Sequence, residues 1–210
     1  VSDWSSDVCS SDLPGTDRPI LQPDTIDPPL ILSVGIQHPR KGHDVFLQSL
    51  ARLRALDWTA VIVGAPYDQD HAAELQNLVT DLDLGARVRL AGRVPDTELA
   101  QLYSQASIFA LATRYEGYGL VFDEALAAGL PIISCATGAV PDTVPEGTGC
   151  LVRPDDPEAF AIAVQSVLTD AAYRTELAAA AQAAGHRLPT WSDTARTAGA
   201  VLDRLSVGKT

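Results

Sequence analysis

Methionine is absent, and lysine is nearly so: Lys41 and Lys209 are the only two in 210 residues. Lys and Arg together number 15 against 27 acids, a net charge of −12. Neutralising phosphates along a nucleic acid takes clustered bases, so general nucleic-acid binding is excluded, although one local basic pocket is not. Cysteine occurs only at positions 9, 135 and 150, without metal-ligand spacing. Thiols this sparse, with no secretion signal, fit a cytoplasmic chain that keeps them reduced. No apolar run approaches the roughly 18 residues of a membrane span. What is present is ordinary for a globular protein: 46% hydrophobic residues, and length enough for one large domain or two small ones.

The first thirteen residues, VSDWSSDVCSSDL, stand apart. They are rich in Ser and Asp, carry no apolar periodicity, and are neither basic nor apolar enough for a targeting peptide. The string resembles a conceptual translation of a sequencing adapter. Residues 1–13 are therefore expected to be non-native, with the natural gene cut just before Pro14, and the lack of any Met agrees with that. A native tail is the alternative. Residues 14–29, PGTDRPILQPDTIDPP, are dense in Pro and Asp and read as an interdomain linker.

From residue 30 a rhythm begins. Short apolar runs lie at 30–36, 59–65, 87–92, 107–113, 131–136 and 149–154. Helical spacing marks 43–56, 69–84, 96–106 (with Asp96 as N-cap), 120–129 (ended by Gly129), 157–187 and 192–205. Strands apolar on both faces, alternating with helices, predict an α/β fold. The expected form is a doubly wound, Rossmann-like parallel sheet of about six strands in the order 3-2-1-4-5-6 over residues 30–188. Residues 189–210 would supply a closing helix and tail. Such sheets bind ligands beyond the strands' carboxyl ends at the point where strand order reverses. That point lies between the strands at 30–36 and 107–113, and directs attention to the loops QHPRKG (37–42) and RYEGYG (114–119).

In the second loop, Gly117 and Gly119 let backbone approach a ligand closely. The helix starting near Leu120 offers unpaired amides and a positive dipole end to an anion. Glu116 in the loop and Glu124 one turn into the helix are acceptors suited to sugar hydroxyls. A ligand with hydroxyls at both ends and an anion between them, such as a nucleotide sugar, fits this order. In the first loop, Arg40 and Lys41 supply positive charge for a diphosphate. Each element has a plainer reading. Glu124 alone would be a solvated helix residue, and Arg40–Lys41 a surface pair. His38 and His43 read as helix-start or surface residues, His71 and His186 as surface, and Cys135 and Cys150 as small apolar thiols on neighbouring strands. The coincidence of both loops with the predicted ligand position favours a site.

These residues resemble the C-terminal, nucleotide-binding domain of GT-B glycosyltransferases, specifically glycosyltransferase family 4. The resemblance runs from about Pro14 to Leu205 through PGTD, LSVG…HPRKGHDVFLQSLARL, VRLAGRV, TRYEGYGLVFDEALAAGLPII and GAVPDTV. It implies one half of a GT-B fold. It implies that Glu116 contacts the donor hexose and Glu124 the ribose. Gly117, Tyr118 and Gly119 would cradle the sugar by their backbone, and Leu120 and Val121 the phosphates. Lys41 matches the family's pyrophosphate-binding lysine, Gly35 the glycine ending the first strand, and Val94 a position beside the base. Lys41 and Glu116 would be the catalytic pair. Two departures stand out: Ile36 where many members carry Arg, which leaves Arg40 to compensate, and Asp142 where Glu is commoner.

By the same resemblance, the whole protein would be a retaining hexosyltransferase using a UDP or GDP sugar, with no metal or other cofactor. An N-terminal acceptor domain would be its missing partner, through which peripheral membrane contact is possible. The fragment would bind donor but show little transfer alone. A non-catalytic nucleotide- or sugar-phosphate-binding module and a GT-B-like epimerase remain as alternatives. A phosphorylase would need a lysine for pyridoxal phosphate, and neither lysine has a plausible pocket. A dinucleotide dehydrogenase would need G-x-G-x-x-G after the first strand, where this chain has VGIQHPRKG.

Overall fold

The computed structural model describes residues 15, 16 and 26–207. Residues 1–13 lie outside them, as does most of the predicted linker. Six parallel strands form one sheet: β1 (Leu30–Val34), β2 (Thr59–Val63), β3 (Val88–Gly92), β4 (Ala106–Leu111), β5 (Ile132–Cys135) and β6 (Gly149–Val152). Their order is β3-β2-β1-β4-β5-β6, as predicted. The helices are α1 (His43–Leu50), α2 (Gln69–Asp81), α3 (Asp96–Gln105), α4 (Leu120–Ala127), α5 (Val140–Thr143), α6 (Pro157–Thr169), α7 (Ala171–Gly185) and α8 (Trp191–Val207).

The pleat divides the core in two. Ile31 of β1 packs with Phe46 of α1, Leu75 of α2 and Phe160 of α6 on one face of the sheet. Its neighbours Leu30 and Leu32 pack with Leu102 of α3, Phe122 of α4 and Ala184 of α7 on the other. Burying each such side chain contributes about 1.5–3 kcal/mol. Gly185 lets the end of α7 lie close to α4: a Cβ there would come 2.2 Å from the Leu126 carbonyl oxygen.

Element boundaries depart from the sequence reading, three of them with a clear local cause. The Ala-rich run 157–187 is two helices, because Asp170 leaves helical geometry (φ −108°, ψ 97°) and its carboxylate caps the Tyr173 amide. This is a side-chain cap winning over alanine propensity. The stretch 43–56 is α-helical to Leu50 and then a 3₁₀ turn over Ala51–Leu53. The N-cap of α3 is Pro95, in extended geometry, so Asp96 is the first helical residue. Gly129 does end α4 in left-handed geometry, at φ 70°.

His43, expected at a helix start or the surface, opens α1 but is buried, and His71, expected at the surface, is buried too. His43 is 0% exposed, and its Nε2 lies 3.2 Å from the Gly35 carbonyl oxygen. His71 is buried at the start of α2, with Nδ1 3.1 Å from Glu74. Both project from the apolar faces of their helices. His38 caps the following 3₁₀ turn through the Arg40 amide, at 3.0 Å, and His186 is exposed. Cys135 and Cys150 sit on adjacent strands as predicted, and burial raises the Cys135 thiol to about 12, leaving it inert.

Candidate functional site

Beyond β1 the chain keeps its register with the next strand for three more residues. Gly35 and Gln37 donate amides to Val63 and Ala65, both at 2.9 Å. The 3₁₀ turn Pro39–Lys41 then delivers Lys41 to the carboxyl edge of the sheet. Gly42 follows at φ 64°, where a Cβ would fall 1.9 Å from the Ala112 carbonyl oxygen. Only glycine fits there, and the turn is wedged against the end of β4. The Lys41 stem lies along Gly35: a Cβ on that glycine would meet Lys41 Cγ, Cδ and Cε at 3.3–3.4 Å.

The two predicted loops meet. Lys41 Nζ donates to Glu116 Oε1 at 2.6 Å, across 75 residues of chain. Lys41 is 9% exposed and Glu116 5%. Thr113, at 0% exposure, brings its hydroxyl 3.1 Å from the same Glu116 oxygen and 3.2 Å from the Arg40 carbonyl; its single proton serves one at a time. Arg40 itself is exposed, and it ties the loops through its carbonyl, which accepts the Arg114 amide at 2.8 Å.

A residue the sequence reading passed over does more of this joining. Arg114 grips Asp44 of α1 with two bonds of 2.9 and 2.8 Å, donates Nε to Asp155 at 2.6 Å, and also bonds the Pro39 carbonyl. Burial acts to raise the Asp44 carboxyl, but the Arg114 bonds and charge outweigh it and hold the group below the usual range. Bidentate geometry of this kind fixes orientation as well as distance.

The glycine-rich loop is held from behind by the segment after β5. Thr137 Oγ1 donates to the Arg114 carbonyl at 3.0 Å, the Ala139 amide to Glu116 at 3.0 Å, and Thr143 Oγ1 to Tyr118 at 2.8 Å. Gly138, at φ 52°, lets the two backbones touch: a Cβ there would lie 2.2 Å from the Glu116 carbonyl oxygen. The motif GAVPDTV is thus the scaffold of the loop. Gly119 is the N-cap of α4 at φ 87° and brings no side-chain cap; its carbonyl accepts the Phe122 amide at 2.8 Å, and the amides of Leu120 and Val121 at the first turn receive no side-chain cap. Leu120 is 42% exposed, while Val121 and Val94 pack against the second core cluster. Gly117 is exposed, and a Cβ there would meet nothing within 4 Å.

Glu124 does not face bulk water. It is half-buried, and Tyr103 of α3 donates its hydroxyl to Oε2 at 2.7 Å. Burial raises the Glu124 carboxyl, the Tyr103 bond opposes that, and the Asp123 charge adds to it. Asp123 is itself buried and accepts the Tyr118 hydroxyl at 2.7 Å. Burial lifts Asp123 above the ordinary carboxylate range against that bond. Neither tyrosine–carboxylate pair was anticipated, although Tyr103 and Leu102 sit together on the buried stripe of α3. Among the described residues, no cluster of three or more His, Cys, Asp or Glu gathers in metal-binding geometry.

The site therefore combines one buried lysine–carboxylate pair, an uncapped helix start and a second, oriented carboxylate. Comparison with known proteins identifies the family to which the fold belongs. A family model described as "Glycosyl transferases group 1" matches residues 20–184. A GDP-mannose-dependent alpha-(1-6)-phosphatidylinositol monomannoside mannosyltransferase of Mycolicibacterium smegmatis is 32% identical over 196 residues, covering 87% of this chain and 49% of that protein. A D-inositol 3-phosphate glycosyltransferase of Kineococcus radiotolerans is 34% identical, covering 74% and 40%. The chain thus spans about half the length of such relatives. Among solved structures, a sucrose-phosphate synthase from Thermosynechococcus elongatus superposes with a TM-score of 0.78 at 32% identity, over 87% of this chain and 47% of that one. Anabaena HepE in complex with UDP-glucose shares the fold, with a TM-score of 0.75 at 24% identity over 83% and 48%. By the extent of the family match and of these likenesses, the chain belongs to the group 1 glycosyl transferases.

Proposed function

We propose that this chain is the donor half of a retaining glycosyltransferase of family 4, which moves a hexose from a nucleoside-diphosphate sugar to an acceptor. The observation that carries the reading is Lys41 Nζ at 2.6 Å from Glu116, beside the uncapped start of α4. In this reading the diphosphate rests on the amides of Leu120 and Val121 and on Lys41. Hexose hydroxyls bond Glu116 and the backbone of Gly117–Gly119, where open space surrounds Gly117. The ribose bonds Glu124, oriented by Tyr103, and the base lies by Val94. Arg40 adds charge at the rim, where Ile36 offers none.

The chemistry follows from charge. As the bond between the anomeric carbon and the phosphate oxygen breaks, negative charge grows on the departing diphosphate. A buried ammonium and a helix end already in place stabilise that growth, and no protein reorganisation is needed at that moment. No metal is required in this scheme. The acceptor and the second wall of the cleft come from the other half of the protein, so this chain alone binds donor and transfers little. GDP-mannose, on which the Mycolicibacterium mannosyltransferase depends, and UDP-glucose, bound in the HepE structure, are the candidates to test first.

Calorimetric titration with UDP, GDP and ADP and their hexose conjugates tests the reading. One base should bind. Lys41→Met should weaken both diphosphate and conjugate by about tenfold or more, the worth of one charged hydrogen bond. Unchanged affinity in that variant would remove Lys41 from the site.

A further inference from the structure

Lys41 is paired with an anion of its own chain, Glu116. We propose that this contact makes the site select a sugar-bearing diphosphate over the bare one. Glu116 serves as an internal stand-in for the leaving group and takes Lys41 back once the hexose has gone. The inference rests on the donor reading above and extends it to discrimination between substrate and product.

Neither partner can move away easily. Lys41 follows a turn closed by its own amide on the His38 carbonyl at 2.8 Å, its stem lies on Gly35, and Gly42 is wedged under Ala112. Glu116 is pinned by the Ala139 amide and by the contact with Gly138. Both side chains are buried, so parting them without replacement leaves an uncompensated charge out of water. A bare diphosphate drawing on Lys41 creates that situation. It brings dense negative charge beside a carboxylate and offers that carboxylate no donor. A hexose conjugate carries less negative charge on its diphosphate and brings hydroxyls. Lys41 and Thr113 both address Glu116 Oε1, which leaves Oε2 for a hydroxyl proton. Loss of the hexose reverses both advantages, and re-pairing of Lys41 with Glu116 then favours release of the diphosphate.

The test is titration of the 210-residue chain and its Glu116→Gln variant with UDP, GDP, UDP-glucose and GDP-mannose. Gln keeps the shape and removes the charge. For the base that binds, E116Q should hold the bare diphosphate several-fold to about tenfold tighter than wild type, as expected when a charged hydrogen bond no longer competes. It should hold the conjugate no tighter. E116A, which removes the charge with the side chain, should shift the same way, and the unfolding midpoint of each variant reports that it is folded. If E116Q binds the bare diphosphate no tighter than wild type while wild type binds the conjugate, this inference falls alone. If wild type binds neither diphosphate nor conjugate of either base, the donor reading falls with it.

Discussion

Replacing His43 with Gln should make the protein less sensitive to acid. His43 is fully buried at the start of α1, two residues after Lys41, and its Nε2 holds the carbonyl of Gly35, the glycine on which the Lys41 stem rests. Burial lowers its pKa from 6.5 to about 4; the contacts with the Gly35 and Ile36 carbonyls resist this, and the charges of Lys41 and His71 add to it. The folded chain therefore carries His43 neutral while the unfolded chain protonates it near 6.5. Below that value the unfolded state binds more protons, so stability falls as pH falls. The full difference between the two states corresponds to roughly 3 kcal/mol, and at pH 5 about 2 kcal/mol of it is already lost relative to pH 7.5.

Gln can still donate to the Gly35 carbonyl but cannot titrate. H43Q should lie within about 1 kcal/mol of wild type at pH 7.5, the worth of one imperfectly replaced neutral hydrogen bond. At pH 5 it should be the more stable of the two, by about 1–2 kcal/mol. Urea unfolding at the two pH values, followed by the fluorescence of buried Trp58, measures both. The raised carboxylates Asp123 and Glu124 push stability the other way, but they are common to both proteins and cancel in the difference. Parallel loss of stability in wild type and H43Q would refute the argument. So would an NMR titration placing the His43 ring near its unperturbed value.

Two further predictions address the walls of the site. Tyr103→Phe removes the bond that orients Glu124 and should cost about 1–2 kcal/mol at pH 7.5, after discounting for the partial exposure of Glu124. Because that bond favours the charged carboxylate, losing it raises the folded pKa further, so the cost should shrink as pH falls through the carboxylate range. The same variant should weaken a nucleoside diphosphate and leave its 2′,3′-dideoxy analogue unchanged; equal loss on both would deny the ribose role. Gly42→Ala and Gly117→Ala should separate structure from binding. The first forces a Cβ to 1.9 Å from a carbonyl oxygen at positive φ and should cost about 3 kcal/mol or more. The second meets open space, should change stability by less than about 0.5 kcal/mol, and should weaken donor binding. A G117A variant that binds donor as wild type does would place the hexose elsewhere.

The strand order and the two loops could be read from the sequence because their causes are local. A strand buried on both faces must be apolar throughout, and a sheet wound in both directions has one place for a ligand. Glu116 and Lys41 announced themselves as charges on glycine-bearing loops at that place. What holds them there was not legible, for a common reason. Arg114 reaches Asp44 across 70 residues, Thr143 and Thr137 reach loop carbonyls across 25 and 23, and Tyr103 reaches Glu124 across 21. A bond from a side chain to a distant backbone or carboxylate imposes no spacing that a single sequence displays.

The histidines are a different kind of miss, since a signal was present. His43 lies three and four residues before Phe46 and Leu47, and His71 four before Leu75, each on the buried stripe of its helix. Reading His71 as a surface residue, and His43 as no more than a helix start or surface residue, put residue type ahead of position. The distinction bears on function. A histidine on an apolar stripe stays neutral and structural down to its lowered pKa, so it keeps Gly35 in place beneath Lys41 without adding a second positive charge beside it. The lysine can then be matched by one carboxylate, and that balance is what a diphosphate entering the site has to disturb.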